Sequence, residues 1–393
     1  MVETQFKNTD IGLIPEDWEV KQLGEVITLI NGRAYSQNEL LFNGKYRVLR
    51  VGNFFSSDKW YWSNLELASK FYVNKGDLMY AWSASFGPKF WKNEKTIYHY
   101  HIWKIELSEY LDKFYLFYVL EKDKENILNQ SQGGTMFHIT KESMEKRKIP
   151  IPSLKEQQAI AEVLSDTDAW IESLEKLITK KRLVKQGAMQ QLLTPKEDWE
   201  VKKLGEIAEV RDGTHQTPTY VESGIPFYSV ESVTKNDFKN TKYISEQEHK
   251  ILTKSFRIEK GDILMTRIGS IGDCKLIDWD VNASFYVSLA LLKVKPIFSA
   301  NYLCHYSKTE NFKKEIDINS LQSAIPKKIN LGPISNVKIE FPSLDEQQRI
   351  ATILSDMDAE IEHLEKKLNK AKQLKQGIMQ QLLTGKIRLI AGD

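Results

Sequence analysis

Two loop stretches in this 393-residue sequence carry side chains suited to reading the edges of nucleic-acid bases. In the first, Trp82, Ser83, Ala84, Ser85, Phe86, Gly87, Pro88 and Lys89 follow a Gly76-Asp77 turn. In the second, Arg267, Ile268, Gly269, Ser270, Ile271 and Gly272 stand the same distance beyond Gly261-Asp262, so Trp82 falls opposite Arg267 and Ser85 opposite Ser270. An arginine can donate two parallel hydrogen bonds to guanine O6 and N7, which a tryptophan cannot, so the two stretches should prefer different bases. Arg33, Tyr35 and Ser36 after Asn31-Gly32, and Thr214, His215 and Thr217 after Asp212-Gly213, are placed on the surface by their turn residues. A third pair of stretches aligns Gln132, Gly133, Gly134, Thr135 and His138 with Gln322, Ser323, Ala324, Lys327 and Lys328. Glutamine can read adenine at N6 and N7, and the two lysines could hold phosphate. For each of these residues a solvated loop side chain is the competing reading, and most aromatics between Phe71 and Trp103 are expected in a core.

Other chemistry is harder to find. No Pro-Pro pair occurs, so the Asn/Asp-Pro-Pro-aromatic motif of an adenine methyltransferase is missing, and no G-x-x-x-x-G-K-[ST] phosphate loop is present. The nuclease-like Glu19-Val20-Lys21 and Glu200-Val201-Lys202 lack a metal-binding acid before them and read as surface ion pairs on strands. His99 and His101 would share one strand face but have no evident third metal ligand. Cys274 and Cys304 make no disulfide framework, which suggests a reducing cytoplasm. The polar, acidic start is unlike a secretion signal, and no apolar run approaches the roughly 20 residues of a membrane span.

The elements that must position these loops come from a duplication. Glu16–Lys21 and Glu197–Lys202 both read E-D-W-E-V-K, each followed by Leu-Gly-Glu. Ile149–Thr194 and Ile339–Thr384 align without gaps and agree at 29 of 46 positions, sharing P-S-L-x-E-Q-Q, S-D-x-D-A and K-Q-G-x-M-Q-Q-L-L-T. Both segments have the apolar spacing of long pairing helices. The seam holds Leu164, Ile171, Leu174 and Ile178 in the first, and Leu354, Ile361, Leu364 and Leu368 in the second, with Lys181, Lys185 and Lys375 at some seam positions. Ser153 with Glu156, and Ser343 with Glu346, match the capping box that starts a helix. Two helices of some 40 residues make rods of roughly 60 Å. Antiparallel pairing is the simplest arrangement for near-identical helices joined by a folded domain; the alternative is two helices each packed on its own domain.

Regional charge is mild. Residues 1–148 carry +1 and 195–338 carry +2, while 149–194 are neutral and 339–384 carry −2. The globular parts are therefore slightly basic, less than is usual for a DNA-binding domain, and low affinity is expected of the chain alone.

W-E-V-K-x-L-G-E at Trp18 and Trp199, G-D-[LI]-[LM] at Gly76 and Gly261, the P-S-L-x-E-Q-Q helices and the ending Q-Q-L-L-T-G-K-I-R-L from Gln380 to Leu389 together resemble the specificity subunits of type I restriction-modification systems over nearly the whole chain. The resemblance implies an α+β architecture with two target recognition domains separated by two long antiparallel helices in a coiled coil. The expected segments are a first recognition domain at 1–150, a helix at 151–194, a second domain at 195–340, a helix at 341–384 and a tail at 385–393. It further implies double-stranded DNA as a partner, read as an interrupted site, together with two methyltransferase subunits and restriction subunits. S-adenosylmethionine, ATP and magnesium would belong to those subunits, with no cofactor on this chain and no catalysis by it. The helices would act as a ruler for the DNA gap and would dock the methyltransferase subunits through outward residues including Gln157, Gln158, Gln347 and Gln348. Rival readings are a sequence-specific nuclease with dispersed acids, or a coiled-coil scaffold without DNA binding.

Overall fold

The computed structural model describes residues 4–83, 85–130 and 139–389. The chain divides into two compact units, Met1–Glu175 with Lys366–Asp393, and Lys176–Glu365. The long helices run Leu154–Leu192 and Leu344–Leu382, and each unit takes half of each.

In the first unit, a four-stranded antiparallel sheet runs in the order Ile27–Asn31, Ile102–Leu107, Leu78–Ser83, Ser85–Phe90. Leu78–Ala81 is buried at every position, as expected of a central strand covered on both faces. Helix Lys113–Gln130 contributes Tyr115, Leu116 and Leu120 to the same core as Trp18, Tyr80 and Trp103. A second sheet orders Tyr61–Ser63, Tyr46–Leu49, Thr96–Tyr98 and Tyr72–Val73, its middle pair parallel. Glu19–Gln22 pairs with Lys148–Ile151, bringing the domain's entry strand beside its exit into the first long helix.

The second unit repeats this plan: Ala208–Asp212, Leu289–Val294, Ile263–Ile268 and Ser270–Leu276 form its antiparallel sheet, and Glu200–Lys203 pairs with Lys338–Phe341. Its smaller sheet differs at the edge. The fourth strand is Tyr220–Val221, lying beside Lys242–Ile244, whereas in the first unit it is Tyr72–Val73, beside Thr96–Tyr98. The scaffold is thus duplicated while the outer sheet is rebuilt.

Within each unit the two helix halves run antiparallel and pair. In the first unit Lys375 bonds Asp168 at 2.5 Å and Lys372 bonds Glu175 at 2.6 Å. The second unit repeats both, with Lys185 on Asp358 and Arg182 on Glu365, and adds Lys181 on Glu360. The seam lysines therefore meet carboxylates of the opposite helix, which restricts register because a slipped pairing would set charge against leucine. Leu164, Ile171, Leu174, Ile178, Leu354 and Ile361 are buried along the seam, while Leu364 and Leu368 are half-buried.

Matched contacts tie each globular part to its helix ends. Tyr115 and Tyr302 donate through their hydroxyls to the carbonyls of Pro150 and Glu340 at 2.9 and 3.1 Å. Tyr118 donates to Asp168 at 2.8 Å, and His305, in the corresponding place, meets Ser355 at 3.1 Å. Ser153 and Ser343 cap the helix starts, accepting from the backbone of Glu156 and Glu346. The expected reciprocal half of the cap is replaced: Glu156, 1% exposed, accepts instead from the Trp18 indole at 3.0 Å and from Arg388 at 2.6 and 2.8 Å. Arg388 also makes two hydrogen bonds to Asp17, at 2.9 and 2.7 Å, anchoring the segment that follows the second helix.

Candidate functional site

In the first unit the close approach of Gly32 organises the site. A side chain there would meet the carbonyl oxygens of Tyr98 and His99 at 2.4 Å, so only glycine lets this segment lie against the 98–99 backbone. Arg33 consequently bridges His99 through its backbone, with Arg33 N on Tyr98 O at 3.0 Å and Tyr100 N on Arg33 O at 3.1 Å. Rings then follow one another. Tyr35 stacks 6.4 Å from His99, His99 lies 4.4 Å from Tyr100, and Trp82 meets His101 edge-on at 5.0 Å while its indole donates to Tyr100 O at 3.0 Å. The stretch Trp82–Lys89, expected as a loop, instead lies on the paired strands Leu78–Ser83 and Ser85–Phe90, so the Arg33–Tyr35 loop and the Trp82 end of a strand, remote in sequence, share one aromatic surface.

Several of its groups are committed to structure. Arg33 pairs with Glu39 at 2.6 Å and lies over the Tyr35 ring; that guanidinium, with the backbone N–H of Ser36, holds Glu39 at about 2. Burial keeps His99 down at about 4, with His101 and Arg50 nearby reinforcing the shift, so His99 is neutral at pH 7. Histidines 99 and 101 lie at a turn, with rings 4.9 Å apart, and not along a strand face as the alternation suggested. Ser36 and Ser85 are exposed, but Ser83 is buried in its strand. Lys89 donates to the carbonyl of Phe54 at 2.8 Å, and its burial lowers its pKa, so it serves to hold the Val51–Phe55 helix.

The corresponding place in the second unit is built the same way and filled differently. Gly213 lies against the Phe285 and Tyr286 carbonyls, and Thr214 bridges Tyr286. Asp212 is the hub: Arg267 donates to it at 2.9 Å and His215 meets its other oxygen at 2.7 Å. Arg267 is 3% exposed, which corrects its expected role as a guanine reader. Its strand position matches Trp82, but its side chain folds back onto Asp212 and is not offered at the surface. Exposed His215 and Thr217 remain at the surface, Thr217 near the Tyr286 hydroxyl at 3.5 Å. Lys328 joins this group through a strand bridge to Ile268. Lys327 and Gln322 turn instead to Asp317, the lysine to its carboxylate and the glutamine to its carbonyl, and Ser270 hydrogen-bonds Asp273. Gln132, Thr135 and His138 lie outside the described residues.

The helix glutamines also need correction. Gln157 and Gln347 are 0% and 2% exposed, not outward. Gln157 accepts from Asp112 N at 2.8 Å and donates to the carbonyls of Tyr110 and Pro152, and Gln347 accepts from Ser299 N and donates to Pro342. Only Gln158 and Gln348 face solvent. Glu19 and Glu200 pair with Lys21 and Lys202 on their strands. Burial raises the pKa of both free thiols, Cys274 and Cys304, leaving them poor nucleophiles. Among the described residues no cluster of three His, Cys, Asp or Glu is placed to hold a metal, and no helix is long and apolar enough to cross a membrane.

Sequence reasoning missed the basic strand Tyr46–Leu49 with Arg50 beyond it, parallel to Thr96–Tyr98 and so beside the His99 turn. The signal was available in the W-Y-W triplet at 60–62 and in the cations around it.

Residues 15–182 and 196–373 each match the type I restriction modification DNA specificity domain. The specificity subunit of the type I restriction enzyme MjaVIII of Methanocaldococcus jannaschii is 29% identical over 98% of this chain and 97% of its own length. The EcoBI specificity subunit of Escherichia coli is 21% identical over 95% of this chain and 86% of its own. Among solved structures, the type I restriction-modification S subunit from M. genitalium superposes with a TM-score of 0.63 at 19% identity, covering 93% of this chain and 96% of that one. Duplicated units on paired helices, differing where their loops meet, and two full copies of the matching domain lead to one conclusion: the chain belongs to the family of type I restriction-modification DNA specificity subunits.

Proposed function

We propose that each globular unit reads one half of an interrupted duplex site and that the chain contributes recognition without catalysis. The observation that carries this is the duplication itself: equivalent backbone positions are held by equivalent glycines, yet Arg33, His99 and Trp82 in one unit stand where Thr214, Tyr286 and Arg267 stand in the other. Matching backbone positions with unlike side chains suit recognition of unlike sequences. Methyltransferase and restriction subunits are the expected protein partners, and S-adenosylmethionine, ATP and magnesium would be theirs. A solved relative of the same fold, with a TM-score of 0.53, comes from work on complex assembly of a type I restriction-modification system. Burial raises the pKa of both thiols, Arg33 and Arg267 are held in ion pairs and His99 is kept neutral, which suits a binding surface better than a reacting one.

The test is a domain exchange. Residues 1–150 are replaced by the matching domain of another family member, the chain is assembled with its methyltransferase subunits, and methylated sites are mapped. One half of the recognised sequence should change while the other stays. A change in both halves, or in neither, refutes the assignment.

A further inference from the structure

The outer sheet of the first unit carries a cation that the recognition loops do not use. Arg47 projects from the exposed side of strand Tyr46–Leu49, and its guanidinium carbon lies 5.3 Å from the Trp60 ring and 5.2 Å from the Trp62 ring. Three residues on, Arg50 lies 5.4 Å from the Tyr61 ring. Both arginines are exposed, and among the described residues neither has a carboxylate within ion-pair distance. The other three arginines of the unit are all paired: Arg33 with Glu39, Arg147 with Asp123, Arg388 with Asp17 and Glu156.

The surroundings make this a prepared group and not a stray surface charge. Trp62 is fixed by paired backbone hydrogen bonds with Leu41 at 2.8 Å, and Trp60 packs edge-on to buried Trp91 at 6.3 Å. Asn53 holds the intervening turn by donating to the carbonyls of Ser57 and Lys59. An arginine held over aromatic rings gives up less rotamer freedom when its N–H groups bind an acceptor. Between residues 45 and 62 there are four basic side chains, Lys45, Arg47, Arg50 and Lys59, against the single acid Asp58. The corresponding strands of the second unit set Pro226 opposite Tyr243, where the first unit has Arg47 opposite Trp62. The feature therefore belongs to one unit only.

We propose that Arg47, braced by Trp60 and Trp62, is a specificity-determining residue that donates its N–H edge to guanine O6 and N7 in the half-site read by the first unit. This rests on the half-site reading above. Arg50 follows Leu49, whose carbonyl accepts from His99 N at 2.9 Å, and so carries the same surface across to the Arg33 loop and the Trp82 end of its strand. The basic edge could also meet a backbone phosphate, which offers adjacent acceptors without sequence information, and the variants separate the two.

The test uses the full chain assembled with its methyltransferase subunits and a duplex pool randomised across both half-sites. The wild-type complex should select a bipartite sequence; failure to select any would reject the half-site reading itself. Given that selection, Arg47→Ala and Arg47→Lys should both lose preference for guanine at one position of one half-site, by roughly 5- to 150-fold, with the other half unchanged. Trp62→Leu should give a smaller loss at the same position. If Arg47→Lys keeps the preference while Arg47→Ala weakens all sequences equally and flattens the salt dependence, the contact is to phosphate and base reading is overturned. Unchanged selection in Arg47→Ala, with an unchanged melting profile, overturns the site altogether.

Discussion

Replacing Arg388 with alanine removes the only cation among the described residues that meets the buried carboxylate of Glu156, in the first turn of the first long helix. Glu156 is 1% exposed and would retain a single donor, the Trp18 indole at 3.0 Å, losing two charge-assisted bonds at 2.6 and 2.8 Å. Stripping one partner from a buried ion pair costs about 3–5 kcal/mol. The second arm, to Asp17, adds little because that side chain is 61% exposed and surface pairs contribute at most ~1 kcal/mol. At about 2–4 °C per kcal/mol for a unit of this size, the first unit should melt roughly 6–20 °C lower. The control is the double variant Arg388→Ala with Glu156→Gln: a neutral amide still accepts the indole hydrogen bond and leaves no buried charge, so most of the loss should return. Scanning calorimetry gives the transition, and hydrogen exchange at residues 385–389 shows whether the segment has come free. A loss under about 1 kcal/mol, or a double variant as unstable as the single, refutes the reasoning.

Two further outcomes follow from buried polar groups. His305 is held down at about 4 from an ordinary 6.5, first by burial and then by Lys308 and Lys185, with Asp358 opposing. It stays neutral in the fold while the unfolded chain takes up a proton, so its contribution is present above about pH 6.5 and is lost as the pH falls toward 4, up to roughly 3 kcal/mol. His305→Tyr, which installs the residue type of Tyr118, should lose less stability between pH 7 and pH 5 than the wild type in denaturant titrations; equal losses would contradict this. Gln157→Ala should cost about 1–3 kcal/mol in urea unfolding because it strands Asp112 N, while Gln158→Ala stays within about 0.5 kcal/mol; similar values for the two would place Gln157 at the surface after all.

What could be read from the sequence was what repeats. The helices declared themselves by 29 shared positions, and the serine caps and seam lysines stand where the heptads put them. The matched positions were legible, but neither their partners nor their setting: Trp82–Lys89 and Arg267–Gly272, expected as loops, lie on strand pairs. Arg267 was correctly set opposite Trp82, yet nothing local shows that its guanidinium turns to Asp212, 55 residues earlier in the chain. Gln157 and Gln158 read alike because both are polar and adjacent, and only packing against the 110–112 segment distinguishes them. Gly32 looked like a turn residue, but its requirement is backbone crowding from a strand some 66 residues on. Arg47 was passed over because its significance depends on two tryptophans brought alongside by strand pairing.

The clasp between each globular part and its helix ends consists of a few matched groups: a tyrosine on a carbonyl, a buried glutamine on a loop amide, and Tyr118 or His305 on the S-D-x-D segment. Among the described residues, none of these shares a hydrogen-bond partner with His215 or Arg47. Substitutions in the two regions should therefore accumulate independently, in the way that changes at sites without common neighbours add. A lineage can overwrite its sequence preference wholesale without loosening the joint, provided the incoming piece brings the same handful of fasteners.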